Sequence, residues 1–238
     1  MMESERLALI GQLSANVAHE LNNPLQGIVA FSHLLLEKTS ATDPAKNNLL
    51  KIVNQANRCR DIIRGLLDFS RQRKPDKSIS DINHLLQECI GLVEKQAQFL
   101  NIKIVFNLAS DLPRVIVDSA QIERVFINMF INAADAMEEG GILTITTHHC
   151  HEDDCIEIEI SDTGQGIKEE DLEKIFDPFF TTKETGHGVG LGLAISYGII
   201  KEHKGSIIVD SEVGKGTTFC VKLPITLEKA GTLNEPQV

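Results

Sequence analysis

The sequence predicts an α+β protein: an N-terminal helical hairpin, then an α/β sandwich built on one mainly antiparallel sheet. Three observations predict it. Apolar residues recur at alternating spacings of three and four from about residue 5 to residue 66. That period breaks around Lys74-Pro75-Asp76-Lys77. Beyond about residue 80, helical periods interleave with two-residue alternations, two of which flank the acidic tip Glu152-Asp153-Asp154 and read as a hairpin.

The first heptad run comprises Leu7, Ile10, Ser14, Val17, Leu21, Pro24, Ile28, Phe31 and Leu35. It is the seam of a bundle helix over residues 5–38, roughly 50 Å long at ~1.5 Å per residue. The stretch Thr39 to Pro44 (TSATDP) reads as a turn or cap. A second seam follows at Leu49, Ile52, Ala56, Cys59, Ile63 and Leu66. One hairpin cannot bury both of its seams, so a dimeric four-helix bundle is expected. The expected boundaries are residues 1–74 for the bundle, 75–80 for a linker, 81–226 for the sandwich and 227–238 for a loose polar tail. Within the sandwich, helices are expected over 81–99, 119–138 and 191–203. Strands are expected at Ile102 to Leu108, Arg114 to Val117, Ile142 to Thr147, Ile156 to Ser161, 206–210 and 217–223.

At 238 residues the chain is long for one small domain and comfortable for two. Its formal net charge of -11 repels phosphate backbones and anionic lipid, which disfavours nucleic acid and membrane surfaces as partners. The basic cluster Arg71, Arg73, Lys74 and Lys77 sits at a predicted helix end, where cations complement the helix dipole. Five scattered cysteines without a CxxC pair fit a reducing compartment. The run His148-His149-Cys150-His151 with Cys155 hints at a metal, but strand neighbours point to opposite faces, so at most half of it converges on one ion. No basic and apolar signal segment opens the sequence, and no run approaches the ~20 apolar residues of a membrane span. A cytoplasmic protein, or the cytosolic part of a larger membrane-linked receptor, is expected.

Three constellations carry chemistry. His19-Glu20-Leu21-Asn22-Asn23-Pro24 lies mid-helix, with His19 at an outward heptad position. Glu20 is placed to orient the ring or take its proton, and Asn23 lies one turn along on the same face. Pro24 removes a backbone donor and clashes with the carbonyl of Glu20, which kinks the helix just after His19 at a penalty of ~3 kcal/mol. A neutral imidazole held by a carboxylate is a competent phosphoryl nucleophile. The second constellation is glycine-rich: Asp162-Thr163-Gly164-Gln165-Gly166 closes a predicted strand, Gly186, Gly188, Gly190 and Gly192 open into a helix, and Gly214-Lys215-Gly216-Thr217-Thr218 precedes the last strand. Backbone amides at such a helix start form an anion site. Neither a Walker motif nor a dinucleotide fingerprint is present, so a different nucleotide fold is implied. The third is Asn128 and Asn132, four apart on one face of a predicted helix, where an amide oxygen is a fair ligand for Mg²⁺.

HELNNP, NMFINAADA, DTGQG, IFDPFFTTK and GHGVGLGL occur here in the order found in sensor histidine kinases of two-component systems, and the chain resembles that family over about residues 5–225. The resemblance implies a dimerisation and phosphoacceptor hairpin followed by an ATP-binding domain of the type shared with gyrase, mismatch-repair ATPases and heat-shock chaperones. It implies His19 as phosphoacceptor, Glu20 as its acid/base partner, and Asn132 as Mg²⁺ ligand with Asn128 beside it. Asp162 resembles the adenine reader, with Gly164 and Gly166 shaping its pocket and Thr218 lying by the base. Phe176, Phe179 and Phe180 resemble an aromatic box under an ATP lid. Lys183 is similarly placed for a phosphate contact, and Gly188, Gly190 and Gly192 flank the phosphates. Asp135, Ile167, Thr182, Val189, Leu191 and Leu193 complete the nucleotide contacts so implied. No sensory module or receiver domain is recognisable, so an upstream sensor and a separate response regulator receiver are the expected partners.

An ATP-driven clamp, as in the chaperone and gyrase relatives, is the competing class. The resemblance implies that those hydrolytic relatives carry a Glu where Asn128 stands, to deprotonate an attacking water. An amide does not deprotonate an attacking water under ordinary conditions. Asn128 therefore leaves the phosphoryl group for His19, and HELNNP has no role in a clamp. The resemblance further implies that Asn23 serves dephosphorylation of the partner, because an amide holds a water in line without competing as a nucleophile.

Overall fold

In a computed structural model, the structure describes residues 21–40, 43–70, 75–182 and 189–225. The described residues form two compact units. One holds 21–40, 43–70, 177–182 and 189–192; the other holds 75–176 and 193–225.

In the first unit, α1 runs over the described residues 21–38 and α2 over Pro44–Ser70. The chain between them is set by local chemistry. Thr39 donates its hydroxyl to the carbonyl of Leu35 at 2.6 Å, closing the end of α1. Asp43 accepts the amide of Ala45 at 2.8 Å, so it caps α2, and Pro44 occupies the first helical position, where no donor is needed. On α2 the buried residues are Val53, Ala56 and Ile63. Within the single chain Ile52 (45% exposed) and Cys59 stand outward. On α1 the expected seam residues Leu21, Ile28, Phe31 and Leu35 are exposed, Phe31 at 70%, while Ser32 is buried. The kink expected just after His19 falls outside the described residues.

The second unit is a sheet with helices over one face. Five strands take the order β2-β4-β5-β7-β6, where β2 is Ile102–Leu108, β4 Gly141–Cys150, β5 Cys155–Asp162, β6 Ser206–Glu212 and β7 Gly216–Pro224. β2 and β4 pair in parallel; the other pairings of this sheet are antiparallel. Alternation decides the faces. Leu143, Ile145, Ile156, Ile158, Ile160, Phe219, Val221 and Leu223 are buried at every second position. Against them lies α4 (Ser119–Ala136) with Ile122, Val125, Phe126, Met129 and Phe130 buried, and α3 (Ile82–Val93) packs beside it. Phe126 and Phe130 stack with centroids 6.4 Å apart. Asp81 caps α3 through the amide of His84, and Asp118 caps α4 through that of Gln121.

Differences from the expected elements follow from long-range pairing. Ser78–Ser80 lies in the segment expected as linker but forms strand β1, antiparallel to β3 (Val115–Val117). Its Ser-Ile-Ser pattern is too short and polar to read as a strand, and pairing with β3 alone defines it. The helix expected over 81–99 ends at Val93, and a 3₁₀ turn covers Ala97–Phe99. A four-residue helix α5, Glu169–Leu172, has no counterpart among the expected elements, and α6 runs over Gly192–Glu202. Among the described residues no helix is long and apolar enough to cross a membrane.

Candidate active site

Asp162 is the last residue of β5. Its side chain is buried, at 5% exposure. Oδ1 accepts the amide of Gly164 at 2.8 Å and that of Thr217 at 3.2 Å. Burial pushes its carboxyl above the ordinary aspartate value, and the two amides pull it part of the way back. Glycines make this packing possible. A Cβ on Gly164 would stand 2.5 Å from the carbonyl oxygen of Ala136, at the C-terminal end of α4. One on Gly216 would overlap the carbonyl of Asp162 itself, and one on Gly166, at φ +72°, that of Glu212. The turn is closed on both sides, by Gln165 donating to Ala136 at 3.0 Å and Gly214 donating to Gln165 at 2.8 Å.

Asn128, Asn132 and Asp135 fall at i, i+4 and i+7 on α4, all half-buried, while Met129, Phe130, Ala133 and Ala134 are buried. Asn128 donates from Nδ2 to Oγ of Ser196 at 3.4 Å, and Ser196 is completely buried on α6. Ile167 donates its amide to Oγ of Ser211 at 2.8 Å. Phe176 packs against Tyr197, with ring centroids 5.1 Å apart. Leu193 is half-buried at the start of α6.

Within the first unit, Phe179 donates its amide to the carbonyl of Gly190 at 2.9 Å. Phe179 takes φ 70° and Gly190 φ +72°, and a Cβ on Gly190 would lie 2.5 Å from the carbonyl carbon of Phe179. This contact joins the two ends of the glycine-rich passage. Phe180 is half-buried and Thr182 exposed; Val189 and Gly192 are half-buried and Leu191 is buried. Asn23 is exposed on α1. His19, Glu20, Lys183, Gly186 and Gly188 lie outside the described residues.

Two family models match this arrangement. Residues 9–75 match the His Kinase A (phospho-acceptor) domain, and residues 117–227 match the histidine kinase-, DNA gyrase B- and HSP90-like ATPase. The chain is 40% identical over 242 residues to the sensor kinase CckA of Brucella abortus, covering 96% of this chain and 26% of that one. It is 34% identical to the solved catalytic domain of histidine kinase ThkA, with TM-score 0.57, covering 63% of this chain and 97% of that domain. The chain belongs to the two-component sensor histidine kinases. A solved complex of histidine kinase ThkA with response regulator protein TrrA matches 95% of the chain and 65% of that structure at 32% identity and TM-score 0.69. The chain spans only about a quarter of the length of CckA.

In this histidine kinase, Thr218 does not stand beside Asp162 as expected. Thr218 pairs with Ser161, and their hydroxyls meet at 2.8 Å. Successive strand residues face opposite sides of the sheet, so Thr218 lies on the side away from Asp162. Thr217, buried at 5% exposure, is the threonine beside the Asp162 carboxylate. Reading the glycine-threonine motif by order alone does not resolve this one-residue difference; the register of β5 with β7 does. Ser196, Tyr197 and Ser211 also escape a reading of the sequence. Each stands in an ordinary helix or strand period with no motif to mark it.

The histidine and cysteine run of this kinase ends up in other interactions. Cys150 and Cys220 both donate to Glu157, at 3.0 and 2.7 Å. The hydrogen bond to Glu157 holds the Cys150 thiol up at about 12, and burial followed by the same carboxylate does so for Cys220. The rings of His149 and His151 lie close but tilted by 54°, with centroids 3.8 Å apart. Among the described residues no group of three or more histidine, cysteine or acidic side chains is placed to hold a metal ion.

Proposed function

We propose that this protein is an ATP-dependent autokinase that phosphorylates its own His19 and passes the phosphoryl group to an aspartate of a response regulator. Residues 1–74 would form the dimerising phosphoacceptor domain, 75–80 the connection and 81–226 the ATP-binding domain, in a cytoplasmic homodimer driven by an upstream sensor. The observation that carries this reading is Asp162, a buried carboxylate whose Oδ1 is held by two amides within a glycine-lined turn. Among the described residues Oδ2 takes no partner, so that oxygen can accept the exocyclic amine of adenine.

The chemistry needs little from the protein beyond placement and charge. The bond that forms joins a ring nitrogen of His19 to the γ-phosphorus, and the bond that breaks joins that phosphorus to the β,γ-bridging oxygen, which leaves with its electron pair as ADP. Glu20 takes the imidazole proton. Asn132 and Asn128 share a half-buried face of α4 and present amide oxygens, a donor set that suits Mg²⁺. The ion would neutralise charge on the phosphates. Asn128, tethered through its nitrogen to Ser196, has no basic group with which to activate water. Lys183 and the glycines around 186–192 would order over the phosphates and release them.

The test is radiolabelled ATP. Wild-type protein should gain acid-labile, base-stable phosphate, and His19→Ala should lose it while binding ATP as before. Label persisting on another histidine, such as His33 or His84, would overturn the assignment of His19.

A further inference from the structure

We propose that Ser211, on β6, is a positioning residue for adenine recognition: it sets the amide of Thr217 that holds Asp162. The inference rests on the ATP reading above and adds to it a residue that touches neither base nor phosphate.

The hydroxyl of Ser211 makes every hydrogen bond it can. It accepts the amide of Ile167 at 2.8 Å and lies 3.0 Å from the carbonyl of Gly216 and 2.9 Å from Oγ1 of Thr217. A serine has one hydroxyl proton and two lone pairs. With its proton on the Gly216 carbonyl, the Thr217 hydroxyl must be the donor in the remaining contact. One oxygen therefore ties three chain segments: the exit of the Gly164–Gly166 turn, strand β6 and the first two residues of β7. Two of the tied residues bear directly on Asp162. Gly216 packs against its carbonyl, and Thr217 donates to Oδ1. The position of Asp162 is thus set from outside its own turn. Removing the hydroxyl leaves the Ile167 amide and the Thr217 hydroxyl without their partner in a half-buried place, and both segments are then free to shift. A carboxylate displaced by a fraction of an ångström loses most where its partner is directional, which is the 6-amino group of the base. The phosphate contacts and the reacting atoms lie on other elements.

The experiment uses the full chain and two nucleotides, ATP and purine riboside triphosphate, which lacks the 6-amino group. Wild type, Ser211→Ala and Ser211→Thr are compared for KM and kcat of autophosphorylation. The expected result is a KM for ATP raised roughly ten-fold in Ser211→Ala, with little change for the nucleotide lacking the amine and little change in kcat. Ser211→Thr, which restores the hydroxyl, should restore the preference. An unchanged ratio of the two KM values in Ser211→Ala would overturn the proposal. An equal loss for both nucleotides would also overturn it, since the hydroxyl would then serve only general folding. If Ser211→Ala melts below the assay temperature, Thr217→Val removes the same link from its other end while keeping the amide to Asp162. A raised ratio in that variant supports the proposal, and an unchanged ratio overturns it. Wild-type protein that takes no ATP would sink the nucleotide reading itself, an outcome distinct from wild type that binds ATP while the variants keep its selectivity.

Discussion

Thr217 donates its backbone amide to Oδ1 of Asp162 at 3.2 Å, and Gly164 donates to the same oxygen at 2.8 Å. Two strands that meet only in the folded sheet thereby aim one carboxylate, and its behaviour with pH follows. Burial raises the carboxyl of Asp162 above the ordinary value of about 3.9. The folded state therefore holds this proton more tightly than the unfolded chain. The burden of a buried charge is present above the raised value and is relieved as pH falls through it. If Asp162 reads adenine as proposed, ATP affinity should fall over that same window, above the range of an exposed aspartate. Titration of the dissociation constant for wild type and Asp162→Asn tests this; parallel curves would show that Asp162 does not read the base. At neutral pH, Asp162→Ala should weaken ATP about ten- to a hundred-fold, equivalent to about 1–3 kcal/mol.

Gly164 should tolerate no side chain. A Cβ there meets the carbonyl oxygen of Ala136 at 2.5 Å and its Cβ at 2.7 Å. Both belong to α4, which is anchored further back by the buried Phe126 and Phe130. Gly164→Ala should therefore displace the Asp162 turn and not the helix. Calorimetry should show ATP binding lost or reduced more than ten-fold, with the far-ultraviolet circular dichroism of wild type. Normal affinity in Gly164→Ala would contradict this packing.

His203 predicts a loss of stability in mild acid. Its Nε2 accepts the amide of Asp118 at 3.0 Å and its Nδ1 lies 2.8 Å from the carbonyl of Ile199, so the ring is neutral with the proton on Nδ1. Burial lowers its pKa from the ordinary value near 6.5. With the folded value depressed, this contribution to stability is complete above about 6.5 and is lost as pH falls from there through the folded value. The melting temperature should drop as pH falls below about 6.5, and His203→Gln should melt lower at neutral pH with a shallower drop. Equal slopes for the two proteins would show that His203 does not set this pH dependence.

Asn23 is exposed on α1, four residues after His19 in the sequence. If the protein is both kinase and phosphatase, Asn23→Ala should autophosphorylate near normally. The phosphorylated cognate regulator, incubated with this variant and ADP, should keep its phosphoryl group many-fold longer than with wild type. Equal decay would sink the phosphatase role. A matching loss of kinase activity would mean that Asn23 positions His19 and not a water.

Much of the second unit is legible because its signals are local. β4 and β5 announce themselves by alternation about an acidic tip, and α4 by an aspartate cap and a helical apolar stripe. Asp162, Gly164 and Gly166 are readable for the same reason: a carboxylate and closely spaced glycines at a strand end lie within five consecutive residues. The heptads over residues 5–66 are likewise a local signal, legible in the sequence as two apolar periods.

Tertiary structure alone decided which of the neighbouring residues face the site. Whether Thr217 or Thr218 stands beside Asp162 depends on the register of β7 against β5, and a one-residue difference reverses the face. Ser211, Ser196 and His203 are invisible in the sequence, because what defines each is a partner 44, 68 or 85 positions away. Ser78–Ser80 is a strand only because β3 pairs with it. Local pattern thus determines which elements form and which motifs they carry, whereas register and packing across long sequence separations determine which side chains meet.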